Sequence, residues 1–250
     1  MSWQAARVIE TRTETPRVCT LVLDLADWPG HRAGQHVDVR LTAADGYQAE
    51  RSYSIASAPE SSNVELTVER LDDGEVSPYL TQVAGIGDQF EVRGPIGGYF
   101  VWESSVARPL ALVGGGSGIV PLMAILRHRA SSVSSAASDV QPAALLYSAR
   151  AEVEVIYRRE IDELAANDAS LRVTYTLTRA QPNGWRGYDR RIDRAMLEQV
   201  LMPLGAPPVI YVCGPTAMVE SAATLLVSLG HSPDDILTER FGPSGIGEPA

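Results

Sequence analysis

The chain has 250 residues, 45% of them apolar and 21% charged, which fits an ordinary globular protein of one large domain or two small ones. Its formal charge of −10 makes it a poor match for nucleic acid or an anionic membrane surface. All 21 basic residues are arginine, which excludes lysine Schiff-base chemistry and a P-loop lysine, and the two cysteines, Cys19 and Cys213, cannot supply an iron–sulfur cluster or a four-cysteine zinc site.

The histidines His31, His36, His128 and His231 show no metal-ligating spacing and read as solvated or core residues. The opening MSWQAARVIETRTETPR lacks the apolar core of a leader, and no apolar run approaches the roughly 18 residues of a membrane span. A soluble, cytoplasmic protein is expected.

Residues 5–103 read as short strands punctuated by turns. VCTLVLDL (18–25) is a β-rich run ended by a Trp28-Pro29-Gly30 turn, and QHVDVRL (35–41) alternates so that Val37, Val39 and Leu41 share a face. Asp45-Gly46 is a hairpin signal. RSYSIAS (51–57), VELTVERL (64–71) and DQFEVRGP (88–95) continue the series, with one short helix near 76–84. Five or six such strands predict a small antiparallel β-barrel.

From Arg108-Pro109 onward the pattern becomes strand–helix alternation. Strands are expected at LALV (110–113), AALLYSA (143–149), LRVTYTLT (171–178) and PVIYVCG (208–214). Helices are expected at MAILRHRA (123–130), EVIYRREIDELAAN (154–167), RAMLEQVL (194–201) and TAMVESAATLLVSLG (216–230), with SSVSSAASD (131–139) as a surface connection. This β-α-β-α-β-α-β-α order predicts a doubly wound parallel α/β domain. The domains are expected at 1–104 and 108–250.

LALV runs into Gly114, Gly115, Gly116 and Gly118, with Pro121 in a first helical turn: the layout of a phosphate cradle at a helix N-terminus. The string is neither a P-loop nor a strict GxGxxG, so a plain tight strand–helix turn stays open as the alternative. CGPTAM (213–218) repeats the layout, and strand tips of a doubly wound sheet converge on the ligand crevice. Cys213 is either at that crevice or a buried structural thiol. Arg51, Tyr53 and Ser54 put an anion binder, a flat ring and a hydroxyl within four residues, suited to a phosphorylated aromatic ligand unless the arginine is simply solvated.

In this order the pieces resemble the ferredoxin–NADP reductase family. The match rests on Arg51-Ser52-Tyr53-Ser54, Gly74-Glu75-Val76-Ser77, the run Arg93 to Phe100, Gly114 to Pro121, Cys213-Gly214-Pro215 with Met218, and Glu239-Arg240-Phe241, and spans about residues 5–245. The resemblance implies an FAD-binding β-barrel followed by an NAD(P)-binding α/β domain. Arg51 would pair with flavin phosphate, Ser52 belongs to the same flavin motif, Tyr53 would pack on the isoalloxazine or ribityl, and Ser54 would hydrogen-bond near flavin N5. Gly74, Val76 and Ser77 would hold the pyrophosphate. Gly115, Ser117, Gly118 and Pro121, with Gly214, Pro215 and Met218, would receive the nicotinamide dinucleotide. Cys213 would sit near the hydride-carrying carbon, with Glu239 as a nearby polar or proton-handling group, and Phe241 would cover the flavin ring. Ser54, Cys213 and Glu239 are thereby the candidate catalytic residues.

The implied activity passes hydride from NAD(P)H to FAD and electrons onward. No cysteine cluster is present for a fused iron–sulfur domain, so the implied acceptor is separate: a ferredoxin, a flavodoxin or an oxygenase component. A free-standing flavin or quinone reductase or diaphorase, and a non-turnover electron-transfer subunit, are the other readings. Ser148, Arg150 and Arg179 at strand tips suit a 2′-phosphate and favour NADPH, with NADH as the alternative. Nine residues follow Phe241, so either its ring moves for nicotinamide to stack or the tail folds over the adenine. The run Arg186, Arg190, Arg191, Arg194 is either a docking patch or a solvated helix start.

Overall fold

Period-two burial builds the first sheet. In the computed structural model, which describes residues 2–135 and 140–241, Val37 and Val39 of β3 (His36–Thr42) are fully buried while Asp38 and Arg40 keep contact with solvent. With β1 (Gln4–Thr15), β2 (Val18–Asp24), β4 (Gln48–Ser54), β5 (Val64–Glu69) and β6 (Gln89–Ile96) it forms an antiparallel sheet in the order β4-β3-β6-β1-β2-β5. The two edges meet: Ile55 bridges Leu66, and the Ala56 N–H donates to the Glu65 carbonyl at 2.8 Å. The sheet therefore closes as expected, leaving no free edge at this seam. Helix α1 (Ser77–Gln82) caps the barrel core through Leu80.

Strand β1 is the element of this half that the sequence pattern hides. Register shifts between Val8 and Glu10 and between Thr13 and Thr15 break its alternation against β2, so the period-two burial of Ala6 and Val8 does not continue along the strand.

The second sheet is parallel throughout. Its strands β7 (Leu110–Gly115), β8 (Ala143–Ala151), β9 (Leu171–Ala180), β10 (Val209–Pro215) and β11 (Ile236–Phe241) lie in the order β11-β10-β7-β8-β9. Strand β7 shows how the layers form. Leu110 and Leu112 pack with α2 (Ile119–Ser135) and α3 (Arg158–Asn167), whereas Ala111 and Val113 pack with α4 (Arg194–Leu201) and α5 (Thr216–Ser228). Both faces are thereby covered.

Three features depart from the sequence reading. Helix α2 continues to Ser135, through residues expected as a surface connection; the hydroxyls of Ser131 and Ser132 donate back to the carbonyls of Arg127 and His128, which keeps these serines compatible with a helix. The remainder of that stretch, 136–139, lies outside the described residues. Helix α3 starts only at Arg158, because Val155 and Ile156 are buried in the connection before it. The fifth strand β11 is absent from the sequence reading, since ILTERF is a partly exposed edge strand with one buried residue, Ile236. Among the described residues no helix is long and apolar enough to cross a membrane.

The two halves share one core. Phe100 stands edge-on to Tyr211 at 5.1 Å, Trp102 edge-on to His128 at 5.5 Å, and Val18, Ala33 and Ala56 of the barrel join the cluster under α2. Arg127 of α2 spans the boundary: it donates to the Ala56 carbonyl and Glu65, both at 2.8 Å, and clasps Glu160 with two bonds of 2.7 Å. Removing this guanidinium takes the partner from Glu160 and leaves Glu65 to Arg12 alone. Arg127→Met is expected to lower the free energy of unfolding in urea by about 3 kcal/mol; a loss below about 1 kcal/mol would show that the boundary does not depend on it.

Candidate cofactor cleft

Strand order reverses between β7 and β10. From β7 the chain steps outward through β8 and β9, then returns to the opposite side of β7 as β10. Connections that leave adjacent parallel strands in opposite directions open a crevice at their carboxyl ends. Here that crevice faces the barrel, and a cleft of about 1730 Å³ lies between them.

Most of the sequence-predicted residues meet in this cleft. Its barrel side carries Arg51, Ser52, Tyr53 and Ser54 of β4 with Gly74, Val76 and Ser77 before and at the start of α1. Its α/β side carries Gly115, Ser117, Ser148, Arg150, Arg179, Pro215, Met218 and Phe241. Gly118, Pro121, Cys213, Gly214 and Glu239 are not on the wall. The tail 242–250, for which a movement or a fold over the adenine was expected, lies outside the described residues.

The glycines divide by role. A Cβ on Gly118 would fall 2.2 Å from the Cys213 carbonyl oxygen, and one on Gly115 would fall 2.3 Å from Met218 Sδ. These two glycines let the β7 loop pack onto the β10 tip. Gly116 differs: it holds φ +55° with nothing within 4 Å of a Cβ position, and it lines the cleft. The close strand–strand turn and the open cradle are thus both present, on neighbouring residues. Pro121 is buried in the first turn of α2.

Ser54 is the unsatisfied group of the site. Its Oγ is buried on the cleft wall and has no hydrogen-bond partner among the described residues. A buried hydroxyl left without a partner is uncommon, and a ligand with an acceptor or donor at that point would satisfy it. Beside it, burial pushes the Tyr53 phenol well above its ordinary range, so the ring stays neutral. The Ser52 hydroxyl points elsewhere, to Asp38 Oδ1 at 2.7 Å. Arg51 reaches Glu75 Oε2 at 3.2 Å, and Glu75 also accepts from the Tyr47 hydroxyl at 2.6 Å. An unpartnered hydroxyl, a neutral ring and a guanidinium in a cleft of this size fit a phosphorylated aromatic dinucleotide.

Behind the wall, Cys213 and Glu239 are register partners on β10 and β11, with Sγ 4.0 Å from Oε2. Cys213 is fully buried; that burial, and then the neighbouring Glu239, hold its thiol well above the usual range. Burial alone raises the Glu239 carboxyl to about 7.

Sequence reasoning missed several wall residues. Arg191, read within a surface arginine run, lines the cleft, as do Thr67 and Ile156. Arg150 is held by Glu154 at 2.7 Å, whereas Arg179 and Arg191 have no ionic or hydrogen-bonded partner among the described residues.

The fold disfavours ionised Glu239, so its contribution to stability is intact below its ordinary value of 4.5 and is lost as pH rises through about 7. Glu239→Gln is expected to raise the melting temperature at about pH 8 and to leave it unchanged at about pH 4. Equal shifts at both pH values would contradict this.

Two family models match the chain: an oxidoreductase FAD-binding domain over residues 6–101 and an oxidoreductase NAD-binding domain over residues 112–224. The glycine betaine monooxygenase reductase subunit of Chromohalobacter salexigens is 31% identical over 214 residues, covering 84% of this chain and 56% of that protein. NADH-cytochrome b5 reductase 1 of Aspergillus terreus is 31% identical over 206 residues, covering 80% and 67%. The chain thus spans little more than half of the first relative and about two thirds of the second. Among solved structures, a cytochrome P450 reductase from Amycolatopsis is 27% identical and superposes with a TM-score of 0.81 over 97% of this chain and 70% of that one.

Proposed function

This chain belongs to the ferredoxin–NADP reductase-like family of FAD- and NAD(P)-binding oxidoreductases, and from that premise we propose that it takes hydride from NADPH onto FAD and delivers electrons to a separate acceptor protein. The observation that carries this reading is the unpartnered Ser54 hydroxyl, buried on the barrel wall of the cleft that the β7 and β10 tips also line. Bound FAD supplies the conversion of a hydride's electron pair into single electrons.

The chain's own residues hold and orient. Arg51 binds flavin phosphate, with Gly74, Val76 and Ser77 at the pyrophosphate and the neutral Tyr53 ring against the flavin. Ser52 serves by keeping β4 in place through Asp38. The Ser54 hydroxyl would be free to donate to bound flavin, and Phe241 would lie on the opposite side of the cleft as a cover. Gly115, Gly116 and Ser117 would take the nicotinamide dinucleotide, supported from behind by Gly118, Pro121 and Gly214 and bounded by Pro215 and Met218. Cys213 forms a neutral backing to this wall, and Glu239, which titrates near neutrality, stores a proton beside it.

The named reductases to which the chain is similar serve a monooxygenase, cytochrome b5 and a cytochrome P450, which supports a protein acceptor. An oxygenase component, a ferredoxin or a flavodoxin is the proposed partner class. A reduced nucleotide donor and free thiols at Cys19 and Cys213 fit a cytoplasmic setting.

Three guanidinium groups, Arg150, Arg179 and Arg191, gather where β8, β9 and the segment before α4 reach the cleft. They suit the 2′-phosphate of NADPH, although Glu154 occupies Arg150 and opposes a phosphate dianion. Arg150→Ala is expected to lower the NADPH/NADH ratio of kcat/KM about tenfold, and Glu154→Gln to raise it severalfold. Unchanged ratios in both variants would remove the preference for NADPH.

The function itself is tested by anaerobic addition of NADPH to the FAD-loaded protein. Bleaching of the flavin absorbance is expected, about tenfold slower in Ser54→Ala while FAD stays bound. A chain that cannot be loaded with FAD, or whose flavin stays oxidised, would contradict the proposal.

A further inference from the structure

Tyr157 is the one non-glycine residue with a left-handed backbone among the described residues, at φ 58°. For a bulky aromatic residue this conformation is an outlier that surrounding contacts must hold in place. The contacts that do so run to both walls of the cleft.

On the nucleotide side, the N–H of the neighbouring Ile156, itself a cleft residue, donates to the Tyr147 hydroxyl at 3.2 Å. Fully buried Tyr147 in turn donates to the Gly116 carbonyl at 3.1 Å, within the loop that lines the cleft. On the barrel side, the Tyr157 hydroxyl crosses the domain boundary and donates to Thr67 Oγ1, also on the cleft wall. Having accepted that hydrogen bond, Thr67 donates its own to Thr20 Oγ1 at 2.7 Å, and Thr20 donates to Glu14 at 2.8 Å. Each hydroxyl gives one bond, and the threonines receive one as well. The relay ends on a carboxylate, so successive bonds polarise one another in the same sense. Arg127 stacks on the Tyr157 ring at 5.1 Å and ties it to both halves.

Joining the domains alone would not need this arrangement, because the Phe100–Tyr211 contact already joins them. The left-handed turn lets two consecutive residues serve opposite walls: Ile156 through Tyr147 to Gly116, and Tyr157 through Thr67 to the barrel. We propose that Tyr157 is a positioning residue, fixing the distance between the flavin-side wall at Thr67 and the nucleotide loop at Gly116. This rests on the reading that the barrel holds FAD and the loop holds nicotinamide nucleotide. Its hydroxyl then governs how well the two rings are juxtaposed and not how tightly either cofactor binds.

Two variants separate this from a structural role. Tyr157→Phe keeps the ring and its cation contact but loses the hydroxyl, and Thr67→Val keeps the shape but loses the acceptor. In each FAD-loaded variant, the dissociation constants of FAD and NADP+ are expected to stay within about threefold of the parent by equilibrium titration. The long-wavelength charge-transfer absorbance of the reduced flavin–NADP+ complex should fall by about half or more, and flavin reduction at saturating NADPH should slow about tenfold. The double variant should be no slower than Thr67→Val alone, because the Tyr157–Thr67 bond is already absent there. Parent-like absorbance and rate in both variants would overturn the inference. So would a loss carried by weaker cofactor affinity, or single losses that multiply in the double variant. If Tyr157→Phe does not fold, Thr67→Val decides by the same absorbance, affinity and rate. A parent protein that takes up FAD and is reduced, with unaffected variants, defeats the inference alone; a parent that binds neither cofactor defeats the underlying reading and the inference with it.

Discussion

The site depends on a backbone approach that only glycine permits. Gly118 lies so close to the Cys213 carbonyl and the Gly214 backbone that a methyl group there would collide with main chain, while Gly115 leaves room for the Met218 side chain beside it. This brings the tips of β7 and β10 together at the point where the strand order reverses, and makes two separate strand–helix turns into one continuous wall. Without that approach the nucleotide loop would stand away from the sheet, and Cys213 and Glu239 would lose the burial that sets their protonation.

The opposite wall has a different physical origin. Closure of the barrel through Ile55 and Leu66 ends β4 at Ser54 and leaves its hydroxyl on the cleft wall with no partner among the described residues. The barrel thus carries a polar group that its own fold does not satisfy, beside a ring that burial keeps neutral. The two walls are held at a fixed distance by a mixed boundary: aromatic edges around Phe100, Trp102 and Tyr211, and charge around Arg127, Glu65 and Glu160. The apolar contacts supply area, whereas the guanidinium and the Tyr157 hydroxyl supply direction.

Much of this was legible in the sequence because glycine, proline and apolar periodicity act locally. The alternation of β3, the β-α rhythm after Pro109 and the arginine–tyrosine–serine run each announce themselves within a few residues. The missed features are those decided by contacts distant in sequence. The register shifts of β1 blur its period, and β11 is defined by pairing with β10 more than by its own composition. That Gly115 and Gly118 serve packing while Gly116 faces the cleft depends on the position of β10, about a hundred residues away. Arg191 looked like part of a surface run because nothing local tells that the chain turns it toward the cleft. Tyr157 carried no signal at all, since its left-handed backbone answers to partners in both domains.

The central claim is that one ligand-binding seam runs between the barrel and the parallel sheet, with a separate occupant on each wall. Amide hydrogen exchange of the cofactor-free chain, before and after adding FAD and then NADP+, tests it most directly. FAD is expected to slow exchange at residues 51–54 and 74–77, and NADP+ to extend the protection to 114–118 and 213–218. Protection confined to other surfaces, or none with either ligand, would contradict it.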